Sequence, residues 1–271
     1  MNVMKSIHTA WISAQIVARH DHSGPRRGLE HRLENAIVET LGKPNNADVY
    51  VHWGAYESGK TWAARNAAIR LQDEGKLVML AHGYDFSYRH DFRSWLRISM
   101  GIPKDCENDK PSAFFPSNKQ TVLIVDHPDY LIKQYGENDL VNSLYRLGIP
   151  VLLLVSSWER AIDLKKQGCL LLGEPGFGRW TEQELDNMYD TFPEQLKRKV
   201  EANKPELREC ARLSRSPGIL EFESHDEFKP NMRRAKLIAA EWENGIRALN
   251  GEDMQGVVGK FPDKDGTFHW V

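Results

Sequence analysis

Residues 77–81 (Leu-Val-Met-Leu-Ala), 121–125 (Thr-Val-Leu-Ile-Val) and 151–155 (Val-Leu-Leu-Leu-Val) are apolar runs without polar alternation. A strand with one wet face alternates, so each run predicts a strand covered on both faces. Shorter apolar segments at 49–53 and 169–172 complete a set of five. Helical stretches separate them. Leu29, Leu33, Ala36, Ile37 and Leu41 fall at helical spacing before the breaker Gly42-Lys43-Pro44, and an Ala-rich stretch runs from Lys60 to near Gly75. Further helices are expected over 91–100, from Asp126 to about Leu147, and over 158–166, while 103–118 reads as irregular. Strict alternation of strand and helix predicts an α/β fold: a five-stranded parallel sheet with helices on both faces.

From Thr181 the apolar runs stop and charged helical segments take over, divided at Pro193, Pro205 and Pro217-Gly218. The expected organisation is an N-terminal arm (1–25), an α/β core (26–180), a small helical domain (181–250) and a tail (251–271) carrying a candidate docking motif, Phe268-His269-Trp270. A chain of 271 residues, 41% hydrophobic, suffices for one main core with a satellite.

Thirty-six Lys and Arg against 38 Asp and Glu give a formal charge of -2, so general attraction to nucleic acid or an anionic membrane is not indicated. Cys106, Cys169 and Cys210 form no CxxC, which fits a reducing compartment. No apolar run approaches the roughly 18 residues of a membrane span. The expectation is an intracellular protein, cytoplasmic or nuclear. Residues 1–20 lack acids and carry Lys5 and Arg19, a composition that also suits a mitochondrial presequence.

Between the first strand and the Ala-rich helix stands Gly54-Ala55-Tyr56-Glu57-Ser58-Gly59-Lys60-Thr61, followed by Trp62. The pattern GxxxxGK[ST] between strand and helix is a P-loop: backbone N–H groups and the positive end of the helix surround a polyphosphate. Lys60 is placed to reach the β and γ phosphates, and Thr61 to offer its hydroxyl to Mg²⁺. The metal also needs a carboxylate at the end of a buried strand, and Asp126 follows the run 121–125. The expected ligands are ATP and Mg²⁺.

With these motifs the chain resembles P-loop ATPases of the AAA+ and STAND type, including the origin-recognition-like and archaeal ATPase branches. The resemblance spans roughly residues 26–220. Arg26-Arg27-Gly28-Leu29-Glu30 resembles the segment that helps hold adenine, 122–126 resembles Walker B, Ser156-Ser157 stands where sensor 1 lies, and Ser216-Pro217-Gly218-Ile219-Leu220 resembles the turn of the helical lid. The resemblance implies that another strand separates the P-loop strand from the Walker B strand. It also implies an ATPase that remodels a macromolecular partner, as a homo-oligomer or with a protein partner. The alternative is an ATP-dependent binding switch with little turnover; a small-molecule kinase or a GTPase ranks lower.

Three departures bear on catalysis. Walker B reads Asp126-His127-Pro128-Asp129 where active relatives have Asp-Glu, leaving Asp129 or His127 as candidate bases and either slow hydrolysis or hydrolysis helped by a partner as the expectation. Arg179 is the preferred arginine finger, against a structural salt bridge. No sensor 2 arginine follows Gly218, so Arg212 or Arg215 would have to substitute. The loop also resembles that of heterotrimeric G-protein α subunits, but the only Asn-Lys pair beside a strand, Asn118-Lys119, precedes it, and ATP ranks above GTP.

Other features read as ordinary surface or packing. His20-Asp21-His22 with His31 reads as a solvated loop, and Arg208, Arg212, Arg215, Arg233, Arg234 and Lys236, interspersed with Glu201, Glu206 and Glu209, as solvated helix faces. Nucleic-acid contact there stays open. Trp53 and Trp242 read as packing residues, and Tyr56 as a ring facing either the nucleotide or a neighbouring subunit.

Overall fold

The computed structural model describes residues 32–83, 120–224, 229–252, 261–262 and 268–269. The expected arm, the helix over 91–100, the irregular stretch 103–118, the segment 26–30 and the His20–His22 loop lie outside the described residues.

Five strands form the sheet: β1 (Val49–Trp53), β2 (Leu77–His82), β3 (Thr121–Asp126), β4 (Val151–Val155) and β5 (Leu170–Leu171), in the order β2-β3-β4-β1-β5. It is a parallel sheet, with Leu77 beside Thr121 and His82 beside Asp126 at the two ends of the β2/β3 pair. As expected, β4 lies between the P-loop strand β1 and the acid-bearing strand β3. Every residue of β3 and β4 is buried, which is why neither run alternates. Helix α1 (Arg32–Leu41) precedes β1, and α2 (Lys60–Asp73), α3 (Asp129–Tyr135), α4 (Glu137–Tyr145) and α5 (Trp158–Lys166) lie in the crossovers that parallel strands require. On α2 the small residues Ala63, Ala64, Ala67 and Ala68 are all buried.

The chain divides into two compact units. The first holds the sheet, through His52 and with Lys60–Ser156 and Arg160–Glu174; the second comprises Trp53–Gly59, Ser157–Glu159 and the chain from Pro175. The second unit contains α6 (Glu182–Asp190), α7 (Glu194–Asn203), α8 (Leu207–Ser214), α9 (Pro217–Glu223) and α10 (Met232–Leu249). Their boundaries follow from local chemistry. Thr181 accepts from the N–H of Glu184 (3.1 Å) and its own N–H donates to the Glu184 carboxylate (2.6 Å), a reciprocal cap on α6. Pro193 precedes α7, Pro217 opens α9, and the Asn231 side chain accepts from the N–H of Arg234 to start α10 (3.0 Å).

Trp242 of α10 is fully buried and meets Trp53 edge-on, with ring centroids 5.1 Å apart. Both indoles are packing residues, as the sequence reading expects. One turn on, Gly245 leaves room for the same ring: a Cβ there would lie 2.2 Å from Trp53.

Short strands lie within the residues read as a tail. β6 (Phe261–Pro262) and β7 (Phe268–His269) form an antiparallel pair, in which Pro262 faces Phe268. Strands of two residues are too short to show a period, so the pattern had nothing to register. Trp270 lies outside the described residues.

The Trp53 packing yields a test by denaturant unfolding. Trp242→Ala should cost about 3–5 kcal/mol. Gly245→Ala should cost about 1–3 kcal/mol by overpacking, outweighing the ~1 kcal/mol that alanine gains in a helix. A Gly245→Ala protein with the parent's midpoint would show that the Trp53 ring is not fixed there.

Candidate functional site

The P-loop begins where β1 ends. A trans peptide holds the C=O of one residue and the N–H of the next on opposite sides of its plane, so whatever fixes a carbonyl also aims an amide. In the second unit three successive carbonyls of the turn are fixed. Tyr56 C=O shares the Ser216 hydroxyl (3.4 Å) with Ser214 C=O (3.3 Å), Glu57 C=O accepts from the N–H of Gly218 (3.1 Å), and Ser58 C=O from the Trp180 indole (3.0 Å). The N–H groups of Glu57, Ser58 and Gly59 therefore face the other way. That of Ser58 closes a turn onto Ala55 C=O (3.2 Å). Glu57 and Gly59 both have positive φ, 62° and 84°. Left-handed residues spaced in this way make a concave run of amides suited to an anion.

Gly218 is required by its closeness to this turn, because a Cβ on it would stand 2.6 Å from the Glu57 Cβ. The Glu57 side chain is 7% exposed and forms an ion pair with Arg234 of α10. Burial raises the Glu57 pKa and neighbouring Glu223 adds to the rise, while Arg234 opposes it. Glu223 is raised as well, by burial, although it accepts from the N–H of Asn231 (3.1 Å). Tyr56 is 40% exposed, with the Arg234 guanidinium 6.0 Å from its ring centroid.

In the first unit Lys60, Thr61 and Trp62 open α2, and Lys60 is buried. The Thr61 hydroxyl donates to Oδ2 of Asp126 at 2.7 Å, across 65 residues of sequence. Asp126 ends β3 and is 2% exposed. A hydroxyl and a carboxylate this close are hard oxygen donors of the kind Mg²⁺ takes. His127 follows with φ 53° and its Nε2 3.8 Å from Asp126 Oδ1.

The remaining candidates are placed as follows. Asp129 opens α3 and faces Arg160 (Nε 3.7 Å), which also pairs with Glu137. Ser157 donates to the Glu159 carboxylate (2.6 Å) at the start of α5. Arg179 pairs with Glu243 (2.7 Å), the salt-bridge alternative to a finger. Arg212 and Arg208 share Asp186 (2.6 and 2.8 Å), whose pKa is lowered chiefly by the Arg212 hydrogen bond, and Arg215 pairs with Glu182 (2.6 Å). Arg212 and Arg215, the expected substitutes for a sensor arginine, are thus both paired with acids of α6. A cleft of about 510 Å³ is lined by Arg179, Arg208, Arg212 and Arg215 together with Glu182 and Glu209. Its four guanidiniums face three carboxylates, those of Glu243, Asp186 and Glu182.

Arg234 is the residue that sequence reasoning missed. It was grouped with Arg233 and Lys236 as a solvated face, but it pairs with the buried Glu57. Only the Ser216-Pro217-Gly218 turn hinted that this unit meets the loop.

No family model and no curated protein matches the sequence. Among solved structures, the chain is similar to domain III of the replication initiation protein DnaA from Thermotoga maritima: 15% identity over 77% of this chain and 90% of that one, TM-score 0.40. It is also similar to Drosophila ORC bound to DNA (14% identity, 80% of this chain and 56% of that one, TM-score 0.42). A third is a Walker-type ATPase of Pyrococcus abyssi (12% identity, 82% and 73%, TM-score 0.42). These are proteins of the kind that the motifs resemble. At scores of this size, the fold is defined by the chain's own strand order. Among the described residues, no helix is long and apolar enough to cross a membrane.

The buried Glu57 predicts a pH dependence. A carboxyl whose folded pKa is raised stabilises the fold fully below the ordinary carboxylate range, and that contribution is lost as pH rises through the folded value. Relative to Glu57→Gln, the parent should therefore lose unfolding free energy as pH climbs through the Glu57 titration. Urea midpoints of the two proteins in a pH series check this; parallel curves would show that burial does not perturb Glu57.

Proposed function

We propose that this chain binds Mg-ATP through residues 54–61 as a P-loop protein of the AAA+-like type. The observation that carries the reading is the 2.7 Å contact between Thr61 and Asp126, which brings the two expected metal-binding side chains together at the foot of the loop. Lys60 would neutralise the β and γ phosphates, the amides of the turn would take their oxygens, and Thr61 with Asp126 would hold Mg²⁺. When bound, the cation would screen the charge that builds up on the transferring phosphoryl group. The sheet order, with β4 between β1 and β3, supports the AAA+-like reading.

Hydrolysis coupled to remodelling of a macromolecular partner is the first form of this function. A general base must reach the attacking water. Asp129 is occupied by Arg160, and His127 bends away from an extended path at φ 53°. Both observations favour the second form, an ATP-dependent binding switch with slow turnover. Assembly into an oligomer, Arg179 as a finger and Ser157 as a sensor belong to the first form and need a partner subunit to be tested.

Calorimetry with Mg-ATP tests the site: Lys60→Ala should weaken binding about 10- to 100-fold, by loss of a charge-assisted contact. Asp126→Asn should reduce Mg²⁺ dependence more than nucleotide affinity. Unchanged Mg-ATP binding by Lys60→Ala would sink the assignment. Phosphate release across a series of protein concentrations separates the two forms. Turnover that climbs with concentration supports the remodelling ATPase, and nucleotide retained with negligible release supports the switch.

A further inference from the structure

The three tied carbonyls leave one part of the turn without backbone support, the side chain of Glu57 itself. That side chain carries a buried carboxylate on a residue with φ 62°, a conformation that costs a non-glycine residue energy unless its surroundings over-determine it. Three groups of the second unit supply the determination: the Gly218 N–H on the carbonyl, the absent Gly218 Cβ that lets the backbone in, and the Arg234 guanidinium on the carboxylate.

We propose that Arg234 is a positioning residue for the P-loop: through its ion pair with Glu57 it holds the peptide planes of residues 56–59 so that the Glu57 and Gly59 N–H groups turn to the phosphate while that of Ser58 closes the turn onto Ala55. It rests on the Mg-ATP reading for the identity of the anion, but the latch itself is a property of the ligand-free chain. Arg234 sits in the first turn of α10, and Asn231 caps that turn by accepting its N–H. The guanidinium is therefore presented from a helix end that is itself fixed. Trp242 and Gly245 anchor the same helix against Trp53, the residue just before the loop. Helix α10 thus grips the P-loop segment at both Trp53 and Glu57, and any movement of its first turn is transmitted to the amides as a rotation of the Glu57 peptides. Arg234 does not need to touch the nucleotide to control its affinity.

The test uses the full chain and four variants: Arg234→Ala, Arg234→Lys, Glu57→Gln and the Glu57→Gln/Arg234→Ala double. Glu57→Gln keeps shape and removes a charge that burial disfavours, so it remains informative if Arg234→Ala folds poorly. Hydrogen exchange is read at the amides of Glu57, Ser58 and Gly59 without nucleotide, and Mg-ATP affinity by calorimetry. The latch predicts faster exchange at these amides in Arg234→Ala and Glu57→Gln, and a loss of affinity of about 10-fold in each. It also predicts no further loss in the double variant and recovery in Arg234→Lys. Unchanged exchange in both single variants, or additive losses in the double, would overturn it. If the parent binds no nucleotide, the Mg-ATP reading falls, while exchange at the three amides still decides the latch.

Discussion

A cradle made of backbone amides depends on what holds the carbonyls behind it. Peptide planarity couples the two ends of each unit, so an N–H cannot be aimed at an anion unless the opposite C=O is satisfied on the outer side. In this chain Ser216, Gly218 and Trp180 provide that outer layer for Tyr56, Glu57 and Ser58. Residues distant in sequence thereby determine the local shape of an eight-residue motif. The turn 53–59 accordingly groups with the helical unit, although it is continuous with the inner strand β1.

The acidic side of the site follows a different logic. Asp126 is positioned by a fully buried strand, and a buried strand end has little freedom, so the Thr61 contact follows from the register of β3. Beyond Asp126 the chain turns through a left-handed residue and Pro128, and α3 starts at once. That early start carries Asp129 into the charge cluster of Arg160 and Glu137. The carboxylate nearest in sequence to Asp126 on that side, Asp129, thus lies 3.7 Å from a guanidinium.

The sheet was legible because its strands are covered on both faces, which leaves unbroken apolar runs, and because prolines and caps punctuate the helices. Runs such as 121–125 and 151–155 match strands β3 and β4 to within one residue. The Thr61–Asp126 pairing was legible for a chemical reason: a phosphate and Mg²⁺ site of the proposed kind restricts residue type as well as position. Arg234 was not. An arginine that pairs with a buried acid 177 residues away leaves the same local pattern as one facing solvent, since the pattern records only which neighbours are charged. Asp186 hid Arg212 and Arg208 for the same reason: sequence shows charges, and only folding shows which have found each other. The β6/β7 pair failed on length alone.

Burying a carboxylate and a guanidinium is a poor way to gain stability, because desolvation offsets most of their attraction. Burial raises the Glu57 pKa, and the Arg234 guanidinium alongside opposes the rise. A glycine at that position would accept φ 62° more cheaply, and an apolar pair would bury at lower cost. The loop therefore departs from local preference twice at one residue. Such departures collect where geometry matters more than stability. An ion pair has directional demands that an apolar contact lacks, and those demands fix the orientation of the Glu57 peptides. The turn is thereby shaped in the ligand-free chain, by contacts that lie outside the motif itself.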